Sequence, residues 1–197
     1  MEKKLRSRYQ HILESLEDIA DCTNGELVLI GGTALAVFYL KHRVSVDLDF
    51  VPIENKDDVE LKEKFKGALS RKGYNTGRTT FTNQFVIQFG DSSVRVEVFQ
   101  PKRKIKQIDE LYVGEHKIKV ASLADLLEMK IDAYSERKEA RDIYDIVSIF
   151  KKTGEETGRA VALVKEYGKP KNLEELKVMV NDAECYSALE EVLKHAD

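Results

Sequence analysis

Hydrophobic and polar positions change period several times along this chain, and each change marks an element. Tyr9, Ile12, Leu13, Leu16, Ile19 and Ala20 recur at helical spacing and predict a helix over residues 5–20, which Asn24-Gly25 stops. The continuous apolar run from Leu27 to Ile30 reads as a short strand ending at Gly31-Gly32, and Thr33 is placed to cap a following helix that carries Leu35, Ala36, Phe38, Tyr39 and Leu40. The period then drops to two. Val44, Val46, Leu48 and Phe50 hold one parity, and Arg43, Ser45, Asp47 and Asp49 the other. Successive strand side chains point to opposite faces, so this pattern sends four apolar residues to a core. It leaves a cation, a hydroxyl and two carboxylates on one open face.

Beyond Pro52 a charged helix is expected over residues 57–71, closed by Gly73. Two strands follow at about 81–89 and 93–99, with Gly90-Asp91-Ser92 as a hairpin turn. In the second strand Val94, Val96 and Val98 alternate with Arg95 and Glu97. If it lies beside the Asp47 strand with both apolar faces on one core, Glu97 becomes a third carboxylate on the open side; otherwise Glu97 is an exposed strand residue paired with Lys or Arg. A strand at 116–120 precedes Ser122 and Asp125, a capping-box-like start. Helices are expected from there on, at about 122–136, 138–152, 155–167 and 172–195, the last broken near Asn181-Asp182. The order predicts an α/β core over residues 1–120 and a helical region over 121–197.

Composition narrows the class. A chain of 197 residues suffices for one core with a helical appendage, and 34% charged with 42% hydrophobic residues is a soluble makeup. No apolar run approaches the roughly 20 residues of a membrane span, and the basic residues 1–8 lack a following signal-peptide core, so a cytoplasmic protein without membrane contact is expected. Cys22 and Cys185 have no partners at metal-ligand spacing, and His42 reads as a surface histidine. The net charge is −3, yet Lys102, Arg103, Lys104, Lys106, Lys117 and Lys119 stand in one stretch. Such a patch can neutralise nucleic-acid phosphates, or be merely solvated.

Two constellations carry candidate chemistry. Alpha carbons two apart on a strand are about 6.6 Å from each other, so the carboxylates of Asp47 and Asp49 can converge on one ion or bridge two. Hard oxygen ligands suit Mg²⁺ or Mn²⁺. The competing reading is an amphipathic edge strand with a solvated polar face. Further on, Lys130, Arg137 and Arg141 are spaced by seven and four, with Asp142 and Asp145 able to hold those cations in place. Clustered cations suit a triphosphate, whose leaving pyrophosphate gains charge. Alternatively these are routine surface ion pairs, Arg141 with Asp145 for example, worth little.

Taken together, the Gly-Gly-Thr-Ala-Leu-Ala run from Gly31, Arg-Val-Ser-Val-Asp-Leu-Asp-Phe from Arg43, Lys130, and Arg-Lys-Glu-Ala-Arg-Asp-Ile-Tyr-Asp from Arg137 resemble the nucleotidyltransferases of the AbiEii/AbiGii toxin family, within the polymerase-beta-like superfamily. The likeness covers about residues 25–150. It implies an α+β fold: a small mixed sheet with helices on one face and a helical C-terminal region closing over the nucleotide. Backbone amides at Gly31 and Gly32, with Thr33 at a helix N-terminus, would hold phosphate oxygens. Asp47 and Asp49 would bind Mg²⁺ or Mn²⁺, with Glu97 completing the acidic set. Arg43, Lys130 and Arg137 would contact the triphosphate, with Asp142 matching the acid that follows the family's cationic helix.

The activity so implied is metal-dependent transfer of a nucleoside monophosphate from an NTP to an acceptor hydroxyl. The resemblance points to an RNA 3′ end, such as that of tRNA, and to a toxin checked by an antitoxin protein. Transfer of AMP to a protein hydroxyl, and a non-catalytic nucleotide- or RNA-binding module of the same fold, are the alternatives. A dehalogenase-type phosphatase also uses D-x-D, but Phe50 and Val51 follow the second Asp here and the glycine turn would be unexplained.

Overall fold

A run of four apolar residues is best accommodated in a strand covered on both faces, and Leu27–Ile30 is such a strand, β1, with every side chain buried. In the computed structural model, which describes residues 2–53, 56–90 and 92–196, it lies near the middle of a seven-stranded mixed sheet. The other strands are β2 (Asp47–Pro52), β3 (Asn75–Arg78), β4 (Gln84–Phe89), β5 (Ser92–Val98), β6 (Ile108–Val113) and β7 (His116–Ala121), in the order β3-β4-β5-β2-β1-β7-β6. β2 runs antiparallel to β1 and parallel to β5, and β1 runs parallel to β7. β4 and β5 form the expected antiparallel hairpin. Of its turn, Asp91 lies outside the described residues.

Two helices pack on the sheet face that carries Leu48, Phe50, Val94, Val96 and Val98. Helix α1 (Glu2–Cys22) buries Ile12, Leu16 and Ile19, and ends where Asn24 and Gly25 adopt positive φ. A short helix, α2 (Gly31–Ala34), follows β1. Helix α3 (Asp58–Arg71) buries Leu61, Phe65 and Leu69 at spacing four; Asp57 caps it by accepting from the Glu60 amide at 2.8 Å. Phe65 stacks edge-on against Phe50 at 5.3 Å and Phe85 at 5.8 Å. With β1 to β7 these helices make one unit, Met1–Ala34 with Ser45–Ser122.

The second unit is helical, Leu35–Val44 with Leu123–Asp197. It contains α4 (Leu123–Arg137), α5 (Ala140–Thr153), α6 (Gly158–Tyr167), α7 (Leu173–Lys177) and α8 (Ala183–His195). Helix α5 is its centre, buried almost all round from Ile143 to Phe150, and Gly154 closes it in the left-handed conformation. The region 172–195 is two helices, divided ahead of α8 as the Asn181-Asp182 break predicts, because Val180 bridges to Arg43 and Asp182 caps α8 by accepting from the Cys185 amide at 3.0 Å. A division at residue 120 leaves 35–44 in the α/β core, whereas this segment groups with the helices. Backbone bonds account for that: Val44 N–H donates to Met179 O at 2.7 Å, and Asn181 N–H to His42 O at 2.8 Å.

Two expectations are corrected here. The strand does not begin at Arg43; it begins at Asp47. The residues after Ala34 are not an α-helix but a π-helical turn, Leu35–Tyr39, with an i to i+5 bond from Leu40 N–H to Leu35 O at 2.8 Å.

The aromatic stack that backs β2 is testable. Phe65→Ala should lower unfolding free energy by about 3–5 kcal/mol, read as a lower urea midpoint at unchanged denaturant slope.

Candidate active site

Parallel pairing of β2 with β5 sets Asp47 beside Arg95 and Asp49 beside Glu97. All four alternate with buried apolar residues, so Asp47, Asp49, Arg95 and Glu97 share the face opposite α1 and α3. The neighbouring-strand arrangement that would make Glu97 a third carboxylate is therefore the one present. Asp47 and Glu97 have local partners. Asp47 accepts from Arg95 Nη2 at 2.8 Å and lies 3.5 Å from Arg8 Nη2, while Glu97 accepts from Asn83 Nδ2 at 2.8 Å. Among the described residues no group of three His, Cys, Asp or Glu is gathered tightly enough to hold a metal as it stands. The donor set is nonetheless that of a hard divalent cation: three carboxylates in register on one face.

The glycine turn meets this face at Asp49. Gly31 has φ +74°, and a Cβ built on it would lie 2.7 Å from Asp49 Oδ2, so only glycine lets the backbone come this close. Thr33 does not cap the following helix. It is buried, and its hydroxyl donates to the Asp47 carbonyl and is hydrogen bonded with Ser45 Oγ at 3.0 Å. That hydroxyl fixes the start of β2 instead of facing a phosphate.

The helical unit contains an ion cluster centred on α5. Arg43 is 2% exposed and grips Asp145 with two bonds, Nε to Oδ1 at 2.6 Å and Nη2 to Oδ2 at 2.8 Å. This corrects its assignment to the open strand face: a guanidinium so enclosed serves the helical unit, and it is dropped as a phosphate contact. Lys130, its side chain 7% exposed, sits 3.0 Å from Asp142 Oδ1 and 2.7 Å from Asp145 Oδ2. Arg137 donates twice to Asp142, at 2.6 and 2.8 Å, but its side chain is 47% exposed. Asp142 thus positions Lys130 and Arg137; its fully buried carboxylate is no phosphate contact itself. Three cations face two acids, and the surplus charge emerges at Arg137.

His42 is not on the surface. It is buried against Tyr144, and its Nε2 is 2.7 Å from Asp145 Oδ1. Desolvation, with the nearby charges of Arg43 and Lys130, lowers its pKa more than Asp145 raises it. A neutral ring donating from Nε2 leaves Nδ1 as the buried, unpartnered lone pair. Burial pushes the carboxyls of Asp145 and Asp142 upward, but the charges of Arg43, Lys130 and Arg137 outweigh it: Asp142 stays below the usual carboxylate range and Asp145 well below it.

The family model for the nucleotidyl transferase AbiEii toxin of type IV toxin–antitoxin systems matches residues 16–190. The chain belongs to the AbiEii family. It is by that membership a nucleotidyltransferase. Its fold is similar to JHP933 from Helicobacter pylori (TM-score 0.56, 16% identity, 95% of this chain and 87% of that one). It is also similar to an antigenic nucleotidyltransferase-like protein from Paracoccidioides brasiliensis (TM-score 0.53, 19% identity, 95% and 93%). A third similar structure is the antibiotic-resistance factor ANT(2'')-Ia (TM-score 0.52, 12% identity, 95% and 99%). No curated protein matches the chain. Among the described residues, no helix is long and apolar enough to cross a membrane.

In this AbiEii chain, Arg8, Asn83 and Arg95 contact the carboxylates without having been singled out from sequence. Arg95 was within reach, since it shares the parity of Glu97 between the valines. Arg8 and Asn83 come from a helix and a turn, and no local pattern marks them.

Gly31→Ala should cost about 1–2 kcal/mol through its left-handed backbone and displace the Asp49 carboxylate, measured by urea unfolding beside a nucleotidyl-transfer assay; full transfer activity would contradict the close approach. His42 gives a pH signature. Its folded pKa is lowered, so the unfolded chain takes up the proton first and stability falls as pH drops below about 6.5, by at most about 1.4 kcal/mol per unit. The depressed acids begin to lose their contribution only as pH falls through the usual carboxylate range, and lose it fully below their lowered values. Denaturant unfolding between pH 7.5 and 5 should show this slope, and His42→Gln should flatten it.

Proposed function

We propose that this protein transfers a nucleoside monophosphate from an NTP to an acceptor hydroxyl on RNA, such as a tRNA 3′ end, as the toxin of a toxin–antitoxin pair. The observation that carries the reading is the pairing of Asp49 with Glu97 on the face that also bears Asp47, with the Gly31 backbone against Asp49. Asp47, Asp49 and Glu97 are the residues that would hold Mg²⁺ or Mn²⁺. The ion would lower the pKa of the attacking hydroxyl and neutralise charge on the leaving oxygen.

The chain's own groups do the rest. Backbone amides of the Gly31-Gly32 turn hold phosphate oxygens beside Asp49. Glu97, steadied by Asn83, orients the acceptor hydroxyl and takes its proton as the oxygen attacks the α-phosphorus and the α–β anhydride bond breaks, releasing pyrophosphate. In the helical unit, Asp142 holds the half-exposed Arg137 guanidinium in a fixed orientation, and the family likeness gives that cation to the triphosphate. Lys130 is buried between two acids and supports that arrangement rather than reaching for the nucleotide. The position of Glu97 beside Asp49 favours catalysis over a non-catalytic binding module. RNA rather than protein as acceptor rests on the family likeness.

Asp47→Ala and Asp49→Ala should each abolish transfer of label from [α-³²P]NTP into total RNA, and EDTA should do the same to the unaltered chain, with recovery on adding Mg²⁺ or Mn²⁺. Arg137→Ala should slow transfer by about 10²-fold. Label that resists RNase and yields to protease would move the acceptor to protein, and retained labelling in the Asp variants would sink the assignment.

A further inference from the structure

A cavity of about 420 Å³ is lined by Lys4 and Arg8 of α1 and by Gln88, Gly90, Ser92 and Ser93 at the β4–β5 hairpin. Among the described residues, every side chain in that lining is a cation or a neutral hydrogen-bonding group. Two polar atoms here are shut away from solvent without a hydrogen-bond partner: Arg8 Nε and Ser92 Oγ. Ser92 is only 8% exposed. Buried polar atoms are rarely left unmatched, and two on residues that line one cavity, beside an exposed ammonium, mark a place suited to an acceptor-rich anion.

We propose that this cavity binds a phosphate group of the acceptor strand. The proposal rests on the nucleotidyl-transfer reading above and names where the acceptor is held. Arg8 supplies the link. Its Nη2 lies 3.4 Å from the Val46 carbonyl and 3.5 Å from Asp47 Oδ1, while the residue also lines the cavity. The glycine turn meets β2 at Asp49, and Arg8 meets it at Asp47. Donor phosphates and the phosphate in the cavity thus approach β2 at different carboxylates. A strand held by a phosphate there is tied through Arg8 to the Asp47 end of β2. Arg8, shared between the bound phosphate and Asp47, senses occupancy of the site.

The test measures binding of a labelled single-stranded oligoribonucleotide by fluorescence anisotropy and of NTP by calorimetry, with the full chain and its Lys4→Gln and Ser92→Ala variants. Each variant should weaken oligoribonucleotide binding several-fold and leave NTP binding unchanged. Lys4→Gln should also make the salt dependence shallower by about 0.7 in log–log slope, as for one lost phosphate contact on a single strand. Ser92→Ala removes an unmatched hydroxyl, so its melting temperature should not fall, which separates lost binding from lost folding. Unchanged oligoribonucleotide affinity in both variants overturns the proposal. So does weakened NTP binding with the oligoribonucleotide unaffected, which would give the cavity to the donor. Failure of the transfer reading shows separately, as RNA left unlabelled by the unaltered chain.

Discussion

The parallel register between β2 and β5 is the constraint on which the carboxylate face depends. Side chains alternate along both strands, so a slip of one residue would drive Asp47 and Asp49 into the layer occupied by Leu48, Phe50 and Val96 and bring those apolar groups to water. Register here is enforced from the apolar side. Phe65 wedges between Phe50 and Phe85, and α1 and α3 cover the valines of β5, so the energy that fixes the acids comes from residues that never touch a substrate. Thr33 adds a local tie, holding the Asp47 backbone to the turn that follows β1.

The helical unit solves a different problem. Its centre contains charges that hydrophobic burial alone would expel: Arg43, Lys130, Asp142 and Asp145. Buried pairs contribute little net stability against a well-packed apolar alternative, but removing one partner costs about 3–5 kcal/mol. Such a cluster therefore specifies a single packing of α4, α5 and the 35–44 segment. Arg43 reaches Asp145 only if the segment lies beside Val180, and Asp142 holds Lys130 and Arg137 only if α4 ends where it does. The half-exposed Arg137 inherits its orientation from groups that are not exposed at all.

Much of this was legible along the chain, and the failures have physical causes. Central strands and capped helices announced themselves: β1 through its four apolar residues, α3 through Asp57 and Gly73, β5 through its valines. The two strands that went unrecognised, β3 and β6, are the two edges of the sheet. An edge strand buries little; Asn75–Arg78 has no fully buried residue, and Ile108 to Val113 alternate between exposed and half-buried. Hydrophobic periodicity records burial, so strands without burial leave no period. Arg43 and His42 failed for the opposite reason. The two-residue alternation runs on upstream of Asp47 into residues that are not in a strand, and a charged residue gives no hint that a distant carboxylate will pay for its burial. Only the fold brings Asp145, 102 positions away, to Arg43.

The contrast between the two sets of ion pairs separates what holds the protein together from what it can offer a ligand. Asp47 with Arg95 and Arg8 is a partly exposed arrangement, in which water reaches the paired atoms and a pair contributes about 0–1 kcal/mol. Those contacts can be exchanged for stronger ones at little cost, because neither arginine is trapped. Arg43 with Asp145 has no such freedom, since breaking it strands both charges away from water. A chain that kept all its acids in deep pairs would have a rigid interior and nothing to bind with. Here the inaccessible pairs fix the helices, and the exchangeable ones lie on the sheet face that bears the proposed site.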